Sequence, residues 1–229
     1  TIGGAARNRI AALDSTVNTN MATAWDPNAS ATVWSLVKSG SVVYAGGDFT
    51  TIGGQARNRL AALDSGINTN MATAWNPDAN NQVRSLHLAG TVLYAGGSFT
   101  TIGGQTRYRL AALDTTVNTS MATAWSPIVA GPGAAVYSIQ TSGESVFIGG
   151  PFTSVGGAFR NRIAALDLTQ DSMVTNWDPN ANSRVANISV AGNLLYVTGS
   201  FTSIGGQTRN YAAALDTTVN SNMASAWNP

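Results

Sequence analysis

Residues 42–64 read VVYAGGDFTTIGGQARNRLAALD, and residues 92–114 read VLYAGGSFTTIGGQTRYRLAALD. Two apolar runs of about five residues flank a long Gly- and Thr-rich loop, and the whole passage returns after 50 residues. The same spacing governs the rest of the chain. Trp25, Trp75, Trp125, Trp177 and Trp227 follow one another at 50, 50, 52 and 50 residues, each four positions after a methionine (Met21, Met71, Met121, Met173, Met223). Residues 1–50 and 51–100 are identical at 34 of 50 positions. A third unit carries three extra residues around Ala130-Gly131-Pro132-Gly133, and a fourth has lost one between Val155 and Trp177. Length changes of this kind belong in loops.

One unit resolves into four short strands. Val33 to Lys38 and Val42 to Gly46 form a hairpin about Ser39-Gly40. Arg59 to Asp64 makes a third strand and Met71 to Trp75 a fourth, with Asn76-Pro77-Asp78-Ala79-Asn80-Asn81 leaving as a turn-rich connector. The Leu-Ala-Ala-Leu runs are too short for free-standing helices. Four strands and a connector repeated every 40–50 residues or so are the signature of a propeller blade. A β-solenoid with two rungs per repeat is the rival, and it usually lacks the long loop and the fixed tryptophan. The expected fold is therefore all-β: a β-propeller of four-stranded antiparallel blades, four complete (about 33–77, 83–127, 136–179 and 185–229) plus a half-blade at 1–32. The array is five-bladed if it closes, or part of a larger one.

The double glycines Gly46-Gly47, Gly96-Gly97 and Gly149-Gly150, with the tryptophan on the fourth strand, resemble the Kelch repeat. The longer pattern Gly-Gly-x-Phe-Thr-x-Ile/Val-Gly-Gly, Arg-Asn-Arg, Ala-Ala-Leu-Asp and Trp-x-Pro is closer to the delta-60 class of β-propeller repeats. Those repeats occur in bacterial surface and secreted proteins, with relatives in fungal cortical polarity markers. The resemblance implies a propeller in an extracellular or cell-surface, bacterial setting, and it brings no shared catalytic residues. Thr198-Gly199 and Asn210-Tyr211 depart from the pattern in the last unit.

Charge supports a quiet surface. Only 10% of the residues are charged, with 12 basic against 11 acidic side chains, which leaves no electrostatic footprint for nucleic acid or an anionic membrane. No stretch approaches the apolar length of a membrane span. The absence of cysteine excludes disulfides, thiolate zinc sites and thiol catalysis. The chain opens part-way through a repeat, so any targeting segment is expected outside it. The sequons at Asn28, Asn118 and Asn187 are what chance gives in so Asn-, Ser- and Thr-rich a chain.

No catalytic residue, cofactor or metal site is expected. The glycine-rich loop runs into a strand and lacks a lysine, so it is no phosphate cradle. The Asn-Pro connectors lack the spaced acids of a calcium loop. His87 has no second histidine or cysteine beside it. Two repeated elements remain as ligand-binding candidates. Arg9, Arg59, Arg109 and Arg162 would ring one rim and suit acidic groups or sugar hydroxyls. Each has an aspartate five residues on (Asp14, Asp64, Asp114, Asp167), so internal pairing, or bonding to loop carbonyls, is the stronger expectation. Trp25, Trp75, Trp125 and Trp177 could stack on sugars, although a place repeated in every unit fits packing between blades better. The expected function is a non-enzymatic structural or adhesive surface propeller contacting protein or polysaccharide. Its incomplete terminal blade would be completed by further chain or by another subunit in a head-to-tail filament. The alternative is a lectin with one weak site per blade.

Overall fold

A computed structural model describes residues 1–170 and 174–229; Met173, the fourth methionine of the Met-Trp series, lies outside the described residues. Val33–Ser39 and Val42–Gly47 pair antiparallel across a two-residue turn, with Ser39 opposite Val42. Gly40 opens the turn at φ 55°, where a type II′ turn requires glycine. The far edge of Val42–Gly47 pairs with Leu60–Asp64, Tyr44 facing Ala62. This three-stranded order recurs as Val83–Ala89, Val92–Gly97 and Leu110–Asp114. It returns as Ser138–Ser142, Ser145–Gly149 and Ile163–Asp167, and as Val185–Ala191, Leu194–Gly199 and Ala212–Asp216.

Successive first strands lie next to one another, and the sheets stack face to face, giving a β-propeller-like array. Both faces of the third strand are covered, which is why Leu60-Ala61-Ala62-Leu63 is buried at every position rather than at alternate ones. The cores sit at the junctions. Tyr44, Leu60 and Ala62 of one unit pack with Trp75, Val83, Leu86, Leu93 and Phe99 around the next. Phe49, Phe99, Phe152 and Phe201 are wholly buried, one per unit.

Three local features differ from the sequence expectation. The fourth strand shrinks to a single bridge, Leu63 to Ala72, held by Asp64 N to Met71 O (2.8 Å) and Thr73 N to Ala62 O (2.9 Å). Pro77, two residues beyond Trp75, turns the chain away before a ladder can lengthen. The glycine-rich loop is itself a hairpin, Thr51–Ile52 with Gln55–Ala56, about Gly53 (φ 63°) and Gly54 (φ 81°). Its Gly53 donates to the Pro27 carbonyl of the preceding connector at 2.7 Å. In the third unit, Val129–Ala130, at the start of the insertion, adds a strand to that small hairpin, against Ser154–Val155.

Candidate functional site

The third strands begin at Leu60 and its equivalents, one residue later than expected. Arg59, Arg109, Arg162 and Tyr211 each precede the strand in the left-handed region, and Arg9 shares that conformation, at φ 61–69° for all five. The strand expected after Arg9 does not form, since residues 10–14 make only the isolated bridge of Leu13 to Ala22. The turn is fixed by the arginine backbone, with Arg59 N bonded to Phe49 O and Gly47 N to Arg59 O, both 2.8 Å. The same bonds hold Arg162, to Phe152 O and from Gly150 N. The guanidinium groups of Arg9, Arg59 and Arg109 turn to the connector. Arg9 donates to Ala29 O (2.7 Å), Arg59 to Ala79 O (3.2 Å), and Arg109 to Val129 O (2.8 Å) and Ala134 O (2.9 Å).

The expected pairing with the aspartates five residues on does not occur. Asp14, Asp114, Asp167 and Asp216 each accept from the backbone N–H and hydroxyl of the threonine two residues later. Asp64 accepts from Gly66 N. These short turns compete with any arginine for the carboxylate, and the threonine bonds hold those four carboxyls below the usual range. Among the described residues the arginine–carboxylate ion pairs are Arg7–Asp26 and Arg160–Asp178, both 3.7 Å. Carbonyl bonding is thus the role the structure gives the side chains of Arg9, Arg59 and Arg109. Arg59→Ala is expected to lower stability by about 1–2 kcal/mol through the stranded Ala79 carbonyl, read by urea unfolding. Unchanged stability with lost ligand affinity would instead assign Arg59 to a ligand.

Trp25, Trp75, Trp125 and Trp177 are all buried between units, and Trp125, the most open, is 8% exposed. Trp75 meets Tyr44 edge-on at 5.2 Å and 79°; Trp125 meets Tyr94, and Trp177 meets Phe147, in the same way. The indoles of Trp25, Trp75 and Trp177 also donate to a carbonyl of the following unit: Asp64 O, Asp114 O and Asp216 O, at 2.9–3.0 Å. Among the described residues, the Trp125 indole nitrogen has no partner.

A group not expected from the sequence lies on the first strands. Arg84 is sandwiched between Trp34 and Tyr137, 4.9 and 4.8 Å from the ring centres, while Trp34 Nε1 donates to Asp48 Oδ2 at 2.8 Å. The signal was the shared place of Trp34, Arg84 and Tyr137 in successive units, adjacent across first strands. His87 bonds Thr141 at 2.8 Å, and burial lowers its pKa.

Two kinds of cavity follow. A cleft recurs between connector and small hairpin, formed by Asp26-Pro27-Asn28, the Gly53-Gly54 turn and Asn68–Met71. Equivalents lie at Asn76-Pro77-Asp78 and at Asp178-Pro179-Asn180, and the three measure about 510–590 Å³. The second cavity, about 640 Å³, is a groove bounded by Ala11, Ala12, Trp25, Leu36, Val37 and Val43. It lies beside residues 10–13, which have no hairpin along the edge that Leu60–Asp64 offers to Val42–Gly47. Leu36 is 51% exposed there, whereas Leu86, Ile139 and Ile188 are buried.

No protein-family model and no curated protein matches the chain. Among solved structures it is similar to two computationally designed proteins. One is Ika4, with TM-score 0.51 and 14% identity over 82% of this chain and 92% of that one. The other is Ika8, with TM-score 0.52 and 12% identity over 87% and 62%. BamB from Moraxella catarrhalis aligns with TM-score 0.46 and 21% identity over 95% and 57%. The likeness is one of fold. Among the described residues no helix is long and apolar enough to cross a membrane.

Proposed function

We propose that the chain is a non-enzymatic structural or adhesive β-propeller of the cell surface or extracellular space, which contacts protein or polymer through its broad, weakly charged faces. The observation that carries it is the apolar groove beside residues 10–13, bounded by Ala11, Ala12, Trp25, Val37 and Val43, where Leu36 is half exposed. An apolar patch on so weakly charged a surface marks a contact site. Light scattering from about 10 μM to 1 mM is expected to show reversible self-association that Leu36→Lys suppresses. Leu36 is half exposed, so that change leaves the fold intact.

The repeated cleft favours a second reading, a glycan-binding propeller with one weak site per blade. Its amide, hydroxyl and backbone donors suit sugar hydroxyls, and repetition would supply avidity. A chain that stays monomeric across the concentration range and binds a glycan array would transfer the function to these clefts.

A further inference from the structure

In a repeat this regular, the positions that change are those the blade itself does not fix. Val83, Val136 and Val185 return from unit to unit and are wholly buried. Their neighbours do not return. The residue after the valine is Arg84, Tyr137 and Ala186 in turn, with Trp34 in the first complete unit. The residue before it changes as freely, giving Gln82 and Arg184 in the second and fourth complete units. Successive first strands lie side by side, so these departures collect in one place. Arg84 and Arg184 also stand apart from the other arginines, all of which belong to the repeated element before the third strand.

Arg84 is held without being neutralised. Its guanidinium carbon lies 4.9 Å from the Trp34 ring centre and 4.8 Å from that of Tyr137, and its Nε donates to Gln82 Oε1 at 3.0 Å. Among the described residues its two terminal nitrogens meet no hydrogen-bond acceptor, and no carboxylate lies within ion-pair distance. Asp48, the acid of this group, accepts the Trp34 indole N–H instead, which fixes that ring. A second cation, Arg184, stands 6.0 Å from the same Tyr137 ring and donates to Ser200 Oγ at 3.4 Å. Rings on either side restrict the guanidinium, so its donor fork is pre-organised for an anion that the chain does not supply.

We propose that Arg84, with Arg184 beside it, binds the carboxylate of an acidic sugar, a uronate unit of a polysaccharide. The two terminal nitrogens match the two oxygens of a carboxylate, and such bonds are charge-assisted. Gln82, Tyr137 and Ser200 set an amide and two hydroxyl groups beside the cations, and these donors and acceptors suit the hydroxyls of the same sugar. The site occurs once in the chain, unlike the repeated clefts. It goes beyond the structural reading above by naming an anionic polymer, and it makes no use of the groove at Leu36.

The probe is trigalacturonate, titrated into the full chain by calorimetry at low salt, with galactotriose and hexaglutamate as comparisons. Saturable 1:1 binding is expected with Kd on the order of 0.1–1 mM, weakening as salt is raised, and galactotriose is expected to give no heat. Arg84→Gln is expected to weaken binding about tenfold. Arg84→Lys is expected to do nearly as much, since it keeps the charge and loses the planar fork. Arg84 is partly buried, so Arg184→Gln, at an exposed residue, supplies a variant whose fold is not at stake. It is expected to weaken binding about threefold. No saturation by about 5 mM probe, or equal affinity in the parent, Arg84→Gln and Arg184→Gln, would overturn the site while leaving the self-association of the structural reading standing. Tighter binding of hexaglutamate than of trigalacturonate, lost in Arg84→Gln, would overturn the acidic sugar as its ligand.

Discussion

Trp75→Ala is expected to destabilise the protein by about 3–5 kcal/mol, the range for emptying a buried large aromatic site. Three losses coincide there. The indole is buried, its edge-on contact with Tyr44 goes, and the Asp114 carbonyl loses its 3.0 Å bond. The neighbours are β-strands fixed by their own ladders, so the cavity has little means of collapsing. Trp227→Ala provides the contrast inside the same chain. That residue keeps its edge-on partner, Tyr196, at 5.5 Å, but is 45% exposed. Its loss is expected to cost about 1 kcal/mol, close to the aromatic-pair contribution alone. Urea unfolding of both variants against the parent measures the difference.

Gly97→Ala is expected to cost about 3 kcal/mol or more, at the upper end of overpacking penalties. An added Cβ would overlap the Gln82 carbonyl oxygen and stand 3.1 Å from Val83 Cα, both backbone, so no side chain can swing aside. Gly97 does not have a positive φ, and the penalty is one of space alone. Gly90→Ala is the internal control. It has open space around the added atom but a φ of 59°, and is expected to lose only about 1 kcal/mol. If the two variants lost equal stability, the close approach at the second glycine would not be what holds it.

The first three strands of each unit were legible because their apolar runs lie between turn residues that act locally. Gly40, with Ser39 before it, marked a hairpin that formed as read, to within a residue at each end. The Leu-Ala-Ala-Leu segments gave no period-2 signal. Their reason became visible only when both sheet faces proved to be covered by neighbouring units. The small hairpin at Gly53-Gly54 had the right turn dipeptide, but two-residue strands are too short to stand out from a Thr- and Gly-rich loop.

The site was harder to read, because it depends on which of several acceptors a side chain takes. Arg59 and Asp64 are close in sequence, yet each is bonded to a backbone group nearer in space, the Ala79 carbonyl and the Gly66 N–H. Counting half-units placed only third- and fourth-strand sequence in residues 1–32. Only the three-dimensional junctions showed that Gly46 and its counterparts are the residues through which one blade admits the next.

The tryptophan-to-carbonyl bond has a direction. Trp25 reaches forward to residue 64, Trp75 to 114 and Trp177 to 216, always 39 positions ahead. During synthesis, a blade therefore emerges before the carbonyl that fastens it. Each blade fastened in this way stays unlatched until the third strand of its successor leaves the ribosome, whereas the blade of Trp125 has no such latch. Growth from the N-terminus thus closes these latches in chain order, and the nascent chain keeps one loose blade at its growing end.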